Sequence, residues 1–233
     1  MDRLRSVDFW ESNAPWYAIW LRHNEYHRPI QSVLAGRIRP GWRVLDIGGG
    51  SGVLSSFLRD RGCRTVLLEP ARAMRDLSAW HAEGDALANG GLEPRRWEDV
   101  SISQLSGFDL ILACNSLHVS SLGFGAALDK IFSARPAHIC VVAEDPHASG
   151  LEAKSRPGYA LSLGHTQDTA SSLAYHSPIE AVVHAEFRHG RSLSPKEQKS
   201  VLEALVLEDG HYWLKGKAQI HLRWWTRLSQ EMK

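Results

Sequence analysis

The residues of this chain with the clearest chemistry are Asp46-Ile47-Gly48-Gly49-Gly50-Ser51-Gly52 and, 23 positions beyond Asp46, Glu69. Val44-Leu45-Asp46-Ile47 is a short apolar run, so the glycines follow a buried strand, and Val53, Leu54, Phe57 and Leu58 then take up helical spacing. A strand-to-helix turn this tight calls for glycine, because side chains would disallow positive φ and keep a ligand away from the backbone. Glu69 ends the next apolar run, Thr65-Val66-Leu67-Leu68, where a carboxylate can accept hydrogen bonds from both hydroxyls of a ribose. Pro70 closes that strand and is placed to pack near the ribose or adenine. A dinucleotide fingerprint needs glycine at its first, third and sixth positions. Counted from Gly48 the sixth is Val53, and the fingerprint fails.

Two later stretches extend the pattern: Trp97-Glu98-Asp99 at the end of a short third strand, and Phe108-Asp109-Leu110-Ile111-Leu112-Ala113-Cys114-Asn115-Ser116-Leu117-His118 at a fourth. Asp-x-Gly-x-Gly-x-Gly resembles motif I of the class I S-adenosylmethionine-dependent methyltransferases, and the stretch from Phe108 resembles the family's motif IV region. The resemblance implies that Gly48, Gly49 and Gly50 lie against the methionine part of S-adenosylmethionine, with Asp46 contacting its amino end and Glu69 its ribose. It further implies that Glu98, preceded by Trp97, accepts the adenine amino group, with Asp99 as the other acid for that place or a simple helix cap. Asn115 would line the methionine end beside the transferable methyl. The run Trp10 to Tyr17 resembles the leading helix of small-molecule methyltransferases, where a tyrosine after an Ala-x-x spacing meets the cofactor's carboxylate. Ala14 and Tyr17 fit that spacing, and packing of the tryptophans explains the run equally well. Histidine's ordinary pKa suits a general base, which makes His118 a candidate for that role, and capping or packing accounts for it as readily. The product would be S-adenosylhomocysteine.

These residues need a frame that brings strand ends together. Apolar strands alternating with amphipathic helices predict right-handed βαβ crossovers, hence a Rossmann-like, seven-stranded, mostly parallel α/β sheet with helices on both faces. One domain is expected over 1–233: an N-terminal helical cap over 1–40, a cofactor-binding core over 42–143, a lid or insertion over 145–178, and C-terminal strands and a helix over 179–233. In the cap, Asn13 is read as the start of a helix carrying Trp16, Trp20, His23 and His27 on one stripe, with Pro29 breaking it. A helix is read over Ala71 to about Ala88. The lid follows from the faded pattern between Asp145 and Pro178. Beyond it, Ala181 to Phe187 and Ile220 to Trp225 are read as two strands joined through a helix that Ser194-Pro195-Lys196-Glu197 begins and that runs to about Leu207.

Composition narrows the function. With 27 Lys and Arg against 26 Asp and Glu the formal net charge is +1, which supports no long-range steering toward a phosphate backbone. The fourth-strand stretch also lacks the Asn-Pro-Pro-Tyr form used on adenine in DNA, so the expected acceptor is a small molecule and no nucleic-acid partner is expected. No apolar run is long enough for a membrane span and the first residues lack a signal peptide's apolar stretch, so a soluble, cytoplasmic protein is expected. Three widely spaced cysteines read as buried reduced thiols. His23 and His27 have ligand spacing, yet His-Asn-Glu-Tyr-His is not the zinc-protease order, and no metal is expected. The rival readings are a non-catalytic binding member of the fold and an aminopropyltransferase, whose acids near the fourth strand's end Cys114-Asn115-Ser116 does not supply.

Overall fold

The computed structural model describes residues 6–78, 86–144, 151 and 156–229. Where the sequence reads as one domain, the chain forms two compact units: Met1–Ser12, His27–Gln167 and Gln219–Lys233 make the first, and Asn13–Tyr26 with Asp168–Ala218 the second.

The first unit is built on a seven-stranded sheet. Strands β1 (Arg43–Ile47), β2 (Arg64–Leu68), β3 (Gly91–Glu93), β4 (Leu110–Cys114) and β5 (His138–Glu144) run parallel. Strand β10 (Lys217–Arg227) lies antiparallel to β5, and β6 (Tyr159–Ala170) is the outer neighbour of β10. The order is β3-β2-β1-β4-β5-β10-β6, and helices flank the sheet as a Rossmann-like methyltransferase fold requires. Flanking elements include α2 (Arg28–Ala35), α3 (Val53–Asp60), α4 (Arg72–Arg75), α5 (Ala86–Asn89) and α6 (Phe124–Ser133). Leu45, Val66, Ile111, Ile131, Val141 and Trp225 belong to one buried cluster that holds the layers together. Each such side chain stabilises the fold by about 1.5–3 kcal/mol relative to exposure.

Several boundaries differ from the sequence reading, each for a local reason. Helix α1 (Val7–Arg22) starts six residues before Asn13, because Ser6 Oγ accepts the Phe9 N–H (3.1 Å) and caps it; Pro15 lies within. His27 lies outside this helix, just ahead of α2. The third strand ends at Glu93, where Pro94 stops it, and Trp97–Asp99 is a short 3-10 turn. Most of the described part of the expected lid is strand: β6 fills 159–170, and β7 (Leu173–Tyr175) follows. An edge strand with a largely exposed face carries few apolar residues, so its pattern looks faded. Residues 145–150 and 152–155 of that segment lie outside the described residues. Ala181 to Phe187 is not a strand but part of helix α7 (Pro178–His189). Ser177 caps it by accepting the Glu180 N–H, Pro178 opens it, and Gly190 ends it in the left-handed conformation.

The second unit has its own antiparallel sheet, β7-β9-β8, with β8 Leu205–Glu208 and β9 His211–Leu214, beside α7 and α8 (Pro195–Glu203). The capping box of Ser194 and Glu197 starts α8 as read, but the helix ends at Glu203 and β8 takes the residues up to Glu208. Its interior is aromatic: Trp16 stacks on His184 at 4.5 Å, and the Tyr175 hydroxyl bonds His184 Nδ1 at 2.8 Å. Burial, reinforced by the Arg188 charge, pushes the His184 pKa down to about 4, so the ring stays neutral. Among the described residues no helix is long and apolar enough to cross a membrane.

Candidate cofactor site

The register Ile47↔Leu68 and Ile47↔Ala113 makes β1, β2 and β4 finish side by side. The glycine loop, Glu69-Pro70 and Cys114-Asn115 therefore leave the sheet at one edge, where open α/β sheets bind ligands. Gly48 turns with φ +61°, and a Cβ there would meet Ser116 Cβ at 2.5 Å. At Gly49 a Cβ would sit 2.4 Å from Leu67 Cδ1 and 2.6 Å from Asp46 Oδ2. Bare backbone is the only occupant these positions accept. The Gly48 N–H is held by the Leu68 carbonyl at 2.7 Å, which ties the loop to the end of β2.

Asp46 lies beneath the loop, 1% exposed. Its Oδ2 accepts from Ser55 Oγ at 2.7 Å, while its Oδ1 has no partner among the described residues. Burial raises its pKa to about 6 against the Ser55 hydrogen bond. Glu69, 7% exposed, accepts the Gly50 N–H on Oε2 (3.0 Å) and the Ala71 N–H on Oε1 (2.8 Å). Burial lifts Glu69 to about 7; the Ala71 and Gly50 hydrogen bonds and Arg75 oppose the rise, and the Asp46 charge adds to it. Arg75 Nη1 donates to the carbonyls of both Glu69 and Pro70, fixing the turn.

Asn115 stands in the left-handed region at φ +50°, which asparagine tolerates better than most residues. Its side chain pairs twice with Glu144 at the end of β5, donating to Oε1 (3.2 Å) and accepting the Glu144 N–H (3.0 Å). His118 is half-buried in the 3-10 turn Leu117–Val119 that follows. Glu98 is engaged elsewhere: it accepts from Ser121 Oγ (2.8 Å), the Ser121 N–H (3.3 Å) and Ser120 Oγ (3.2 Å). Burial pushes its pKa up, but those hydrogen bonds outweigh it and leave it lowered. Trp97 turns into the core, its Nε1 donating to the Ala127 carbonyl (3.2 Å), and Asp99 is exposed. Tyr17 lies on α1 in the second unit, its ring 5.4 Å from Trp20. Among the described residues no group of three His, Cys, Asp or Glu side chains could hold a metal ion.

The structure thus brings together Asp46, Gly48, Gly49, Gly50, Glu69, Pro70 and Asn115. It also reveals supporting residues that the sequence did not mark. Ser55 is the one polar residue on the buried face of α3, Ser116 Oγ donates to the Ile47 carbonyl under Gly48, and Arg75 staples the Glu69 turn. A serine amid apolar helix positions was the only available signal, at Ser55.

A family model described as a methyltransferase domain matches residues 19–204. No curated protein matches. Among solved structures, a TehB-like S-adenosylmethionine-dependent methyltransferase from Corynebacterium glutamicum is 13% identical, covering 93% of this chain and 99% of its own, with TM-score 0.51. A protein named as a proposed RNA methyltransferase from Pyrococcus horikoshii is also 13% identical, with coverages of 91% and 90% and TM-score 0.50. A methyltransferase from Geobacter sulfurreducens, solved with S-adenosylhomocysteine, is 15% identical, with coverages of 90% and 97% and TM-score 0.47. At these identities the structural likeness concerns the fold, whereas the family match spans most of the sequence: the chain belongs to the methyltransferase-domain family, the S-adenosylmethionine-dependent enzymes of this α/β fold.

Proposed function

We propose that this chain transfers the methyl group of S-adenosylmethionine to a small-molecule acceptor, with Asp46, Gly48, Gly49, Gly50, Glu69, Pro70 and Asn115 as the cofactor-binding residues. The observation that carries the reading is the buried Glu69 carboxylate, aimed at the glycine loop and anchored by one backbone N–H on each oxygen. Each oxygen keeps lone-pair capacity for a ribose hydroxyl, and the two N–H bonds hold the carboxylate in place before ligand arrives. The unpartnered Asp46 Oδ1 beneath a loop that excludes any Cβ supports an ammonium or bridging water at the methionine end.

The cofactor supplies an activated methyl for in-line displacement. What remains for the protein is to hold donor and acceptor in line and exclude water, so orientation dominates the rate. Asn115, locked to Glu144, lines that end of the site. His118 serves as the base when the acceptor carries a proton to be removed. Glu98, bound to the serine pair, and Trp97, in the core, act on the adenine side through the backbone turn they fix rather than as free side chains. The near-balanced charge favours a small acceptor over a polynucleotide.

Calorimetry tests the binding half. S-adenosylhomocysteine should bind in the micromolar range and NAD should give no heat; the opposite result would overturn the reading. Formation of S-adenosylhomocysteine across a panel of small acceptors then separates an enzyme from a binding protein.

A further inference from the structure

A second pocket lies at the other end of the sheet, where β5 begins and β10 finishes. Its volume is about 480 Å³, and Arg135, His138, Thr226, Arg227 and Ser229 line it. The register Thr226↔His138 fixes this place at the amino-terminal edge of the parallel strands, opposite the glycine loop. Small-molecule pockets span roughly 300–1,000 Å³, so the space suits a metabolite.

Its charge is one-sided. Burial lowers the pKa of the His138 ring; Asp109 opposes this, and the charges of Arg39, Arg37 and Arg227 add to the lowering. Arg135 and Arg227 both stand on the pocket wall, and the charges of Arg37 and Arg39 also act on the His138 ring. Among the described residues none of the four is in an ion pair. Asp109 is the one carboxylate whose charge acts on His138, against three arginines, and its Oδ2 accepts the Arg43 backbone N–H at 2.8 Å.

The cations are also held in place. Arg227 Nη1 donates to the Arg135 carbonyl, and the Arg227 N–H bonds the Ala137 carbonyl at 2.9 Å. Arg37 packs over the Trp224 ring (5.5 Å), and Trp42 stacks on His138 (4.8 Å), which fixes the ring that the pocket presents. Arg135 has φ +54°, a conformation that costs an arginine energy and that a glycine would take freely. Arg135 lines the pocket together with Arg227, so its side chain faces the same space as a second guanidinium.

We propose that this pocket binds a small phosphate-bearing anion, held by Arg135 and Arg227, with Arg37 and Arg39 supplying field and His138 the wall against its organic part. Guanidinium forks match phosphate oxygens in pairs. A polynucleotide would require cations continuing beyond the pocket, whereas the chain's net charge is only +1. The site is separate from the cofactor edge and does not depend on the methyl-transfer reading.

The test is a calorimetric titration of the full chain with inorganic pyrophosphate, in saturating S-adenosylhomocysteine so that the cofactor site is closed. Saturable binding of one equivalent is expected. Arg135→Gly and Arg227→Ser should each weaken it roughly tenfold or more and leave S-adenosylhomocysteine affinity unchanged. Arg135→Gly is the sharper variant, because relief of the positive φ should hold or raise Tm while binding is lost. Absence of saturable binding overturns the proposal, as does binding indifferent to both substitutions. A short single-stranded RNA that binds through these arginines with steep salt dependence, where pyrophosphate does not saturate, overturns it in favour of a polymer surface.

Discussion

In the first unit, β2 and β4 bury four of their five residues and β5 buries five of seven; in the second unit, no residue of β8 or β9 is buried. The central parallel strands of the first sheet are buried on both faces, so they are continuous apolar runs. The second unit is held by a few specific ring contacts, such as Trp16 on His184, and by helix caps. Burial on both faces both stabilises a strand and makes it readable. Local caps and aromatic pairs stabilise without leaving a periodic signature.

Substitution at the two kinds of strand should break this comparison if it is wrong. Trp225, 1% exposed and edge-on to Phe132 at 5.4 Å, sits in the first unit's core. Trp225→Ala should cost about 3–5 kcal/mol. Leu207→Ala, on the exposed β8 at 64%, should stay within about 0.5 kcal/mol. Urea unfolding measures both, and similar losses would mean that β8 is covered in solution.

That difference also explains what could be read beforehand. Val44 to Ile47, Thr65 to Leu68 and Phe108 to Ala113 declared themselves by apolar continuity, and the glycines between strand and helix by composition alone. Tyr159 to Ala170 did not, since an edge strand of Ser, His, Gln and Thr looks like loop. Ala181 to Phe187 misled through its β-branched Val182-Val183 pair, although Ser177-Pro178 before it carried the helix start. At the candidate site, Asp46, Gly48 and Glu69 stand out in the sequence by residue type and spacing, and the fold sets them at one strand edge. Ser55, Arg75 and the serines holding Glu98 were not, because pairing across the fold leaves no spacing in the chain.

The glycine loop sharpens the comparison at the site itself. Gly49→Ala forces a methyl group to within 2.4 Å of Leu67 Cδ1, and overpacking of this kind costs about 1–3 kcal/mol. Loss of S-adenosylhomocysteine binding should accompany the drop in Tm. Full affinity in a folded Gly49→Ala protein would place the ligand away from the loop.

Glu69→Ala comes next, removing the charged acceptor; bonds of that kind are worth about 1.5–3 kcal/mol, or roughly ten- to a hundredfold in Kd. The pH behaviour is more discriminating. Burial holds Glu69 near 7 and Asp46 near 6, above their ordinary 4.5 and 3.8. From about pH 4 to 7 the folded state therefore keeps protons that the unfolded chain has released, and stability falls as pH rises through that window. Cofactor affinity should move the other way, because ionised Glu69 is the better acceptor. Glu69→Gln should flatten its share of both slopes, seen by thermal melts and titrations at each pH; unaltered slopes would remove Glu69 from the site.

The smallest effect expected is at Glu11, on the part of α1 within the first unit. Its carboxylate accepts the N–H groups of Arg72 and Ala73, the latter at 2.8 Å, at the start of α4. Glu69 takes the N–H immediately before them, that of Ala71. Three successive backbone donors are thus shared between two carboxylates, one belonging to the proposed ribose site and one arriving from the amino-terminal helix. Glu11 does not touch the ligand's place; it holds the turn on which Glu69 is mounted. Loss of a capping acceptor costs about 0.5–2 kcal/mol, so Glu11→Ala should lower Tm modestly and weaken S-adenosylhomocysteine a few-fold at most. Glu11→Gln keeps an acceptor oxygen and should restore much of the affinity, whereas a purely electrostatic role would make it as weak as alanine. Hydrogen exchange at Arg72 and Ala73 should quicken in Glu11→Ala without cofactor. Unchanged exchange there would mean that the cap is not formed in solution, and that the turn under Glu69 is held without it by Arg75 and by the Ala71 hydrogen bond.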